Sequence, residues 1–269
     1  MNKLDEIIAA KRREVEENKS LYPVKLLQQS IFFQTRPVSL AEYVLRDDLH
    51  GIIAEFKRRS PSRGMINEFA DPAMITLRYM QAGASALSVI TDRTYFGGSN
   101  KDLIRARQNN YCPILRKEFI VDEYQVYESR SIGADAILLI AGVLSKDSLK
   151  LLHGLASSLG MDVLIEVHDS ADLDKLPAEV GLVGVNSRNL KNFEVNTAHA
   201  INMAGQLPGN AVKIAESGID SPETLIMLRQ AGYRGFLMGE RFMCEADPGK
   251  ACRRFIGQLN GSFTRKNTG

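Results

Sequence analysis

Residues 52–64 read IIAEFKRRSPSRG, a short apolar run that ends in charge and then breaks into a turn-rich loop. On an extended chain Glu55 and Lys57 lie two residues apart, so both side chains point to one side. Opposite charges at the tip of an apolar strand are costly unless something there uses them. The loop that follows supplies cations, hydroxyls, a proline and a glycine, a composition suited to holding an anion beside the strand end. An exposed ion pair on a solvated loop would explain one such stretch equally well. Repetition along the chain decides between these readings.

Seven more apolar runs follow: ALSVIT from Ala86, PILRK from Pro113, DAILLI from Asp135, DVLIEV from Asp162, GLVGVN from Gly181, VKIAES from Val212 and GFLMG from Gly235. Each has the length of a buried parallel strand. Helix-like segments separate them, at 71–81, 100–108, 122–131, 146–159, 169–175, 197–204, 221–231 and 248–259. Gly83, Gly133, Gly160 and Gly232 follow four of these, where a C-terminal glycine is expected. Eight strand and helix pairs predict an α/β fold, the (β/α)8 TIM barrel. An open doubly wound sheet is the rival, but no GxGxxG turn follows the first strand.

Ahead of the repeat, Leu4, Ile7, Ile8 and Val15 fall at helical spacing among charges, which predicts an amphipathic helix over 3–17. Pro23 interrupts it, a second short helix is expected at 24–29, and Ser39 reads as the N-cap of another helical turn. The expected organisation is a helical extension at 1–50 packed on the barrel, a catalytic barrel at 51–260 and a frayed polar tail at 261–269. All three would form one domain. Met74 and Met80 read as core.

The chain of 269 residues suits one barrel, and its 44% hydrophobic and 25% charged residues exclude disordered and fibrous classes. A net charge of +2 with scattered Lys and Arg lacks the footprint of a nucleic-acid binder. Cys112, Cys244 and Cys252 form no CxxC pair and are odd in number, so neither a disulfide framework nor a zinc site is indicated. Reduced thiols fit a reducing compartment. His50, His153, His168 and His199 are isolated, and no metal is expected. The N-terminal apolar patch is too short and too charged for a signal peptide or membrane span, so a cytoplasmic protein is expected.

In such a barrel, catalytic groups sit at the carboxyl ends of the strands. The first strand supplies Glu55 and Lys57, the third Arg116 and Lys117, the fifth Glu166 and His168, the sixth Asn186 and Arg188, and the seventh Glu216 and Ser217. Five strands ending in ionisable or amide groups predict one convergent site. His168 is set aside as a hydrogen-bonding residue. The last two strands end in ESG (216–218) and MGE (238–240), where barrel loops commonly bind phosphate through backbone N–H groups. Gly218 and Gly239 would permit close approach to the anion. Glu240 would have to turn its side chain away and leave only its N–H facing inward.

The stretch at 52–64 joins SVITDRTYFGGS from Ser88, PILRKEFIVDEYQVYESRSIGADAILLI from Pro113, LIEVHD from Leu164, GVNSRNLKNFEVN from Gly184, IAESGI from Ile214 and FLMGERFM from Phe236. Together, and in this order, they resemble the indole-3-glycerol phosphate synthase family over nearly the whole barrel. The resemblance implies a carboxy-lyase of tryptophan biosynthesis that needs no metal or organic cofactor. Its substrate would be a small phosphosugar aryl amine, 1-(2-carboxyphenylamino)-1-deoxyribulose 5-phosphate, closed to indole-3-glycerol phosphate with release of carbon dioxide and water. It further implies N-terminal helices packed over the barrel mouth. A monomer is expected, and because the chain ends soon after the barrel, the fused isomerase domain found in some members is expected to be absent.

The same resemblance implies residue roles. Lys117 would be the acid of ring closure, Glu166 the base or acid of dehydration, and Lys57 the clamp on the substrate carboxylate and a second acid. Glu55 would keep Lys57 charged and oriented, Asn186 would hydrogen-bond the reacting region, and Arg188 would help with the carboxylate. Glu216 completes the catalytic set, with Ser60, Ser217, Gly218, Gly239 and Glu240 as substrate-binding positions. The chain departs from the family where Glu118 replaces an expected Asp, Ser187 an Asn and Ala215 a Ser. None of these removes a catalytic candidate. Two rivals are another phosphosugar barrel enzyme, such as phosphoribosylanthranilate isomerase, and a non-catalytic anion-binding barrel. The latter would be expected to lack Lys117 or Glu166.

Overall fold

The apolar runs become strands because residues such as Val, Ile and Leu, buried on both faces, suit a parallel sheet covered by helices. A computed structural model of the chain describes residues 3–61, 63–188 and 195–264. The strands are β1 (Ile52–Phe56), β2 (Ala86–Ile90), β3 (Ile114–Lys117), β4 (Ala136–Ile140), β5 (Asp162–Val167), β6 (Leu182–Asn186), β7 (Val212–Glu216) and β8 (Gly235–Met238). They pair in parallel in chain order, and Ile52 and Ile53 of β1 register with Phe236 and Leu237 of β8 to close the cylinder. This is the TIM barrel expected from the alternation.

Local chemistry fixes where the outer helices begin. Asp71, Ser99, Asp122, Ser145, Asp169, Asn196 and Ser221 each cap a helix by accepting a hydrogen bond from its first turn. Ser39 does the same for Leu40–Val44, as expected. The helix Pro248–Thr264 runs past 259 into the segment expected to fray from 261, and residues 265–269 lie outside the described residues. Among the described residues three elements have no counterpart in the sequence reading: a turn of 3-10 helix at Ile31–Gln34, a small hairpin pairing Arg59–Ser60 with Gly64–Met65, and a turn of helix at Glu240–Met243.

Side-chain parity divides the core in two. Ile53, Leu115, Leu164, Leu182 and Ile214 fill the barrel interior, while Phe56, Val89, Ile114, Ile165 and Val183 pack outward against the helices. Arg116, beside inward Lys117, therefore points outward, where it donates to Glu128, Ser129 and Asn100. The expectation that Arg116 joins the mouth is corrected on that ground. Met74 is likewise exposed, because the buried face of Pro72–Gln81 is formed by Ile75, Thr76 and Tyr79.

The N-terminal segment serves both ends of the barrel rather than the mouth alone. Leu40 and Val44 join the interior cluster, and Ser39 Oγ and the Ala41 N–H both donate to Asp162 at the start of β5. These contacts plug the amino end. The helix Lys3–Leu21 instead reaches the carboxyl edge, where Lys11 meets Asp92 and Glu118 just beyond β2 and β3.

Candidate active site

Two residues beyond the interior apolar layer, the same parity delivers charge. Glu55 follows Ile53, Lys117 follows Leu115, Glu166 follows Leu164, and Glu216 follows Ile214, all pointing inward at the carboxyl end. They line a cavity of about 680 Å³ together with Lys57, Ser60, Asn186, Arg188, Ser217, Gly218, Gly239 and Glu240. All twelve candidate positions thus meet at one mouth.

At its centre the Lys117 ammonium lies 2.9 Å from Glu166 Oε2 and 2.5 Å from Glu216 Oε2, so a β3 side chain spans the barrel to β7. Asn186 Nδ2 donates to the other oxygen of Glu166 at 3.1 Å. Lys57 pairs with Glu55 at 3.0 Å. Burial disfavours every charge here, and the balance differs from group to group. For Lys117, the carboxylates of Glu166, Glu216 and Glu55 overcome burial and raise the ammonium above the usual lysine range. For Glu166, Lys117 and the Asn186 amide overcome burial and lower its carboxyl. For Glu216, burial prevails over the pull of Lys117, and with the neighbouring carboxylate of Glu166 it pushes the carboxyl up to about 8. The same surroundings thus favour the charged form of Lys117 and of Glu166 and the protonated form of Glu216.

Glycines make room for these side chains. A Cβ on Gly184 would lie 2.2 Å from Glu216 Oε1, and one on Gly239 would lie 2.5 Å from Glu55 Oε1. The small size of Gly239 therefore admits Glu55. Ser217, at φ 65, is the one non-glycine with positive φ among the described residues. A strained turn of this kind is typical of a ligand-facing loop.

The expectation for Glu240 is corrected. Its carboxylate faces the mouth, 2.5 Å from Arg63 Nε and 3.1 Å from an Arg188 terminal nitrogen. Two cations on opposite loops draw it inward. Arg188, expected at a substrate carboxylate, therefore has Glu240 as a partner. His168 stays outside the cavity lining, its ring stacked 5.1 Å from that of His199.

Sequence reasoning missed Arg63, Phe96 and Phe119. Phe96 and Phe119 stand with ring centroids 6.1 Å apart and join Ile90, Leu138 and Ile140 as an apolar wall on the β2 to β4 side. That wall is opposite Ser217 and Gly218 after β7, giving the mouth an apolar end and a polar end. The signal was present as exposed-looking aromatics in TYFGG and KEF, each just past a strand end. Among the described residues no group of His, Cys, Asp and Glu is arranged to hold a metal ion, and no helix is long and apolar enough to cross a membrane.

Comparison with known proteins agrees with this geometry. A sequence model of the indole-3-glycerol phosphate synthase family matches residues 4–255. The indole-3-glycerol phosphate synthase of Bacteroides thetaiotaomicron is 45% identical over 94% of this chain and 97% of its own. That of Salinibacter ruber is 42% identical over 94% and 95%, and that of Chromobacterium violaceum 48% over 76% and 78%. A solved tryptophan synthase alpha subunit from Pyrococcus furiosus shares the fold at a TM-score of 0.57 and 12% identity, covering 80% of this chain and 99% of its own. With the barrel closed, the mouth assembled and the match running almost end to end, the chain belongs to the indole-3-glycerol phosphate synthase family.

Proposed function

We propose that the cavity binds 1-(2-carboxyphenylamino)-1-deoxyribulose 5-phosphate and closes it to indole-3-glycerol phosphate, a carboxy-lyase reaction of tryptophan biosynthesis. One observation carries the assignment of roles: the Lys117 ammonium is held between the carboxyl groups of Glu166 at 2.9 Å and Glu216 at 2.5 Å, in a cavity lined by Phe96 and Phe119 as well as by Ser217 and Gly218. The aryl ring lies against Phe96 and Phe119, and the phosphate lies at Ser217, Gly218 and Gly239. The substrate carboxylate faces Lys57, which Glu55 orients. These placements leave the ketone beside Lys117.

Ring closure forms a bond from the carboxylate-bearing aryl carbon to the ketone carbon, and the carbonyl pair moves onto oxygen. Lys117 donates the proton that this oxygen needs. Carbon dioxide then departs, and the released bonding pair restores the aromatic ring. In dehydration the new hydroxyl leaves as water with a proton from Lys57, while Glu166, kept ionised by Lys117, takes a proton from the adjacent carbon. Glu216 returns a proton to Lys117 from its raised carboxyl. The sum consumes one proton, as loss of a carboxylate as carbon dioxide requires. Asn186 keeps Glu166 aimed through its 3.1 Å hydrogen bond.

Free thiols at Cys112, Cys244 and Cys252 support a cytoplasmic setting. The test is incubation with the carboxyphenylamino deoxyribulose phosphate while indole fluorescence is followed. The signal should rise with wild-type protein, and folded wild-type protein that produces none would overturn the assignment.

A further inference from the structure

None of the described residues of the helix Lys3–Leu21 lines the cavity, yet Lys11 within it is buried against the cavity's edge. Its ammonium lies 3.1 Å from Asp92 Oδ2, 3.1 Å from Glu118 Oε1 and 2.9 Å from Glu14 Oε2. Asp92 and Glu118 are themselves buried, and both line the mouth. Each carboxylate also fixes a loop. Asp92 Oδ1 accepts from the backbone N–H groups of Tyr95 at 2.8 Å and Phe96 at 3.1 Å. Glu118 accepts from the Phe119 N–H at 2.9 Å and from Thr91 Oγ1 at 2.6 Å.

One cation thus ties together the two loops that carry the aromatic wall. Without it, two buried carboxylates would face each other across that wall, an arrangement relieved only by moving apart or taking up a proton. Arg116, 4.0 Å from Glu118, gives that carboxylate a second and more distant partner. Burial opposes the charge on Lys11, but Glu118 and Asp92 outweigh it and hold the ammonium above the ordinary lysine range. Docking of the helix does not depend on this contact alone, since Ile7 and Val15 are buried and Lys19 pairs with Asp122 at 2.8 Å.

We infer that Lys11 is a positioning residue for the aryl end of the substrate, setting the spacing of Phe96 and Phe119 through Asp92 and Glu118. This rests on the placement of the aryl ring proposed above. A Lys11→Met variant should bind 2-aminobenzoate, a probe of the aryl end, at least tenfold more weakly than wild type. Its affinity for inorganic phosphate, a probe of the opposite end, should stay within twofold. KM for the full substrate should rise in step with the first loss while kcat stays within threefold. Adding Glu118→Gln to Lys11→Met should recover part of the lost 2-aminobenzoate affinity, because the repulsion between the Asp92 and Glu118 carboxylates is gone.

Equal weakening of both probes, or no change in either, would overturn the inference and leave Lys11 a general anchor. If Lys11→Met does not fold, Lys11→Arg is read with the same two probes: selective weakening of 2-aminobenzoate supports the inference, and parallel loss overturns it. Phe119→Ala separates the two layers of the argument. If Phe119→Ala binds 2-aminobenzoate as wild type does, the aryl placement itself fails; if it binds weakly while the Lys11 variant does not, only the role of Lys11 fails.

Discussion

The two ends of the barrel are made from the same strands and do opposite work. At the amino end, Ile53, Leu115, Leu164 and Ile214 meet Leu40 and Val44 in a closed apolar layer. One inward position further along, Glu55, Lys117, Glu166 and Glu216 replace them around an open cavity. An advance of two residues changes packing into chemistry because strand parity keeps every such residue on the inside. The lower layer fixes the positions of the strands, and the upper layer inherits that precision.

Breaking the upper layer should cost activity and leave the fold. Lys117→Ala should lower kcat by roughly 10²- to 10⁴-fold, with circular dichroism and thermal unfolding showing an intact barrel. Near-normal turnover of the folded variant would refute the role of Lys117. Breaking the lower layer should do the reverse. Leu164→Ala should lose about 2–5 kcal/mol in denaturant unfolding, while the molecules that remain folded turn over within a few-fold of wild type.

A third change sharpens the boundary between the layers. Gly184→Ala places a methyl where Glu216 Oε1 now lies, with an approach of 2.2 Å. Turnover should fall by about tenfold through displaced acid–base groups, with a smaller effect on KM; a rise in KM with kcat unchanged would argue that Glu216 serves the ligand and not the reaction. The smallest effect is expected at the rim. Glu240→Gln removes the carboxylate that engages Arg63 and Arg188, and competitive inhibition by inorganic phosphate should tighten about two- to threefold, as expected for partly exposed ion pairs. Weaker inhibition would mean that Glu240 supports the anion site.

This contrast explains what could be read from the sequence. Strands, capped helices and inward strand-end charges follow from local periodicity, and the sequence resemblance added roles to those positions. Arg116 was misplaced although its parity opposes that of Lys117, a signal that was available. Glu240 is different: its direction is set by Arg63, 177 residues away, and Arg188, 52 residues away. No local pattern reports such a contact. Lys11 and the Phe96 to Phe119 wall were hidden for the same reason, since an N-terminal helix and two separate loops must be brought together before their relation exists.

The central claim is that the buried trio keeps one proton on Glu216 at neutral pH while Lys117 stays charged. Between its ordinary value of 4.5 and its folded value of about 8, Glu216 holds a proton in the folded protein that the unfolded chain releases. Its contribution to stability is therefore complete below about 4.5 and is lost as pH rises through about 8. The direct measurement is the infrared difference spectrum between wild type and Glu216→Gln across this range. The account predicts a protonated-carboxyl stretch in wild type at pH 7 that disappears with a midpoint near 8. A carboxyl already ionised at pH 7, titrating near 4.5, would contradict it.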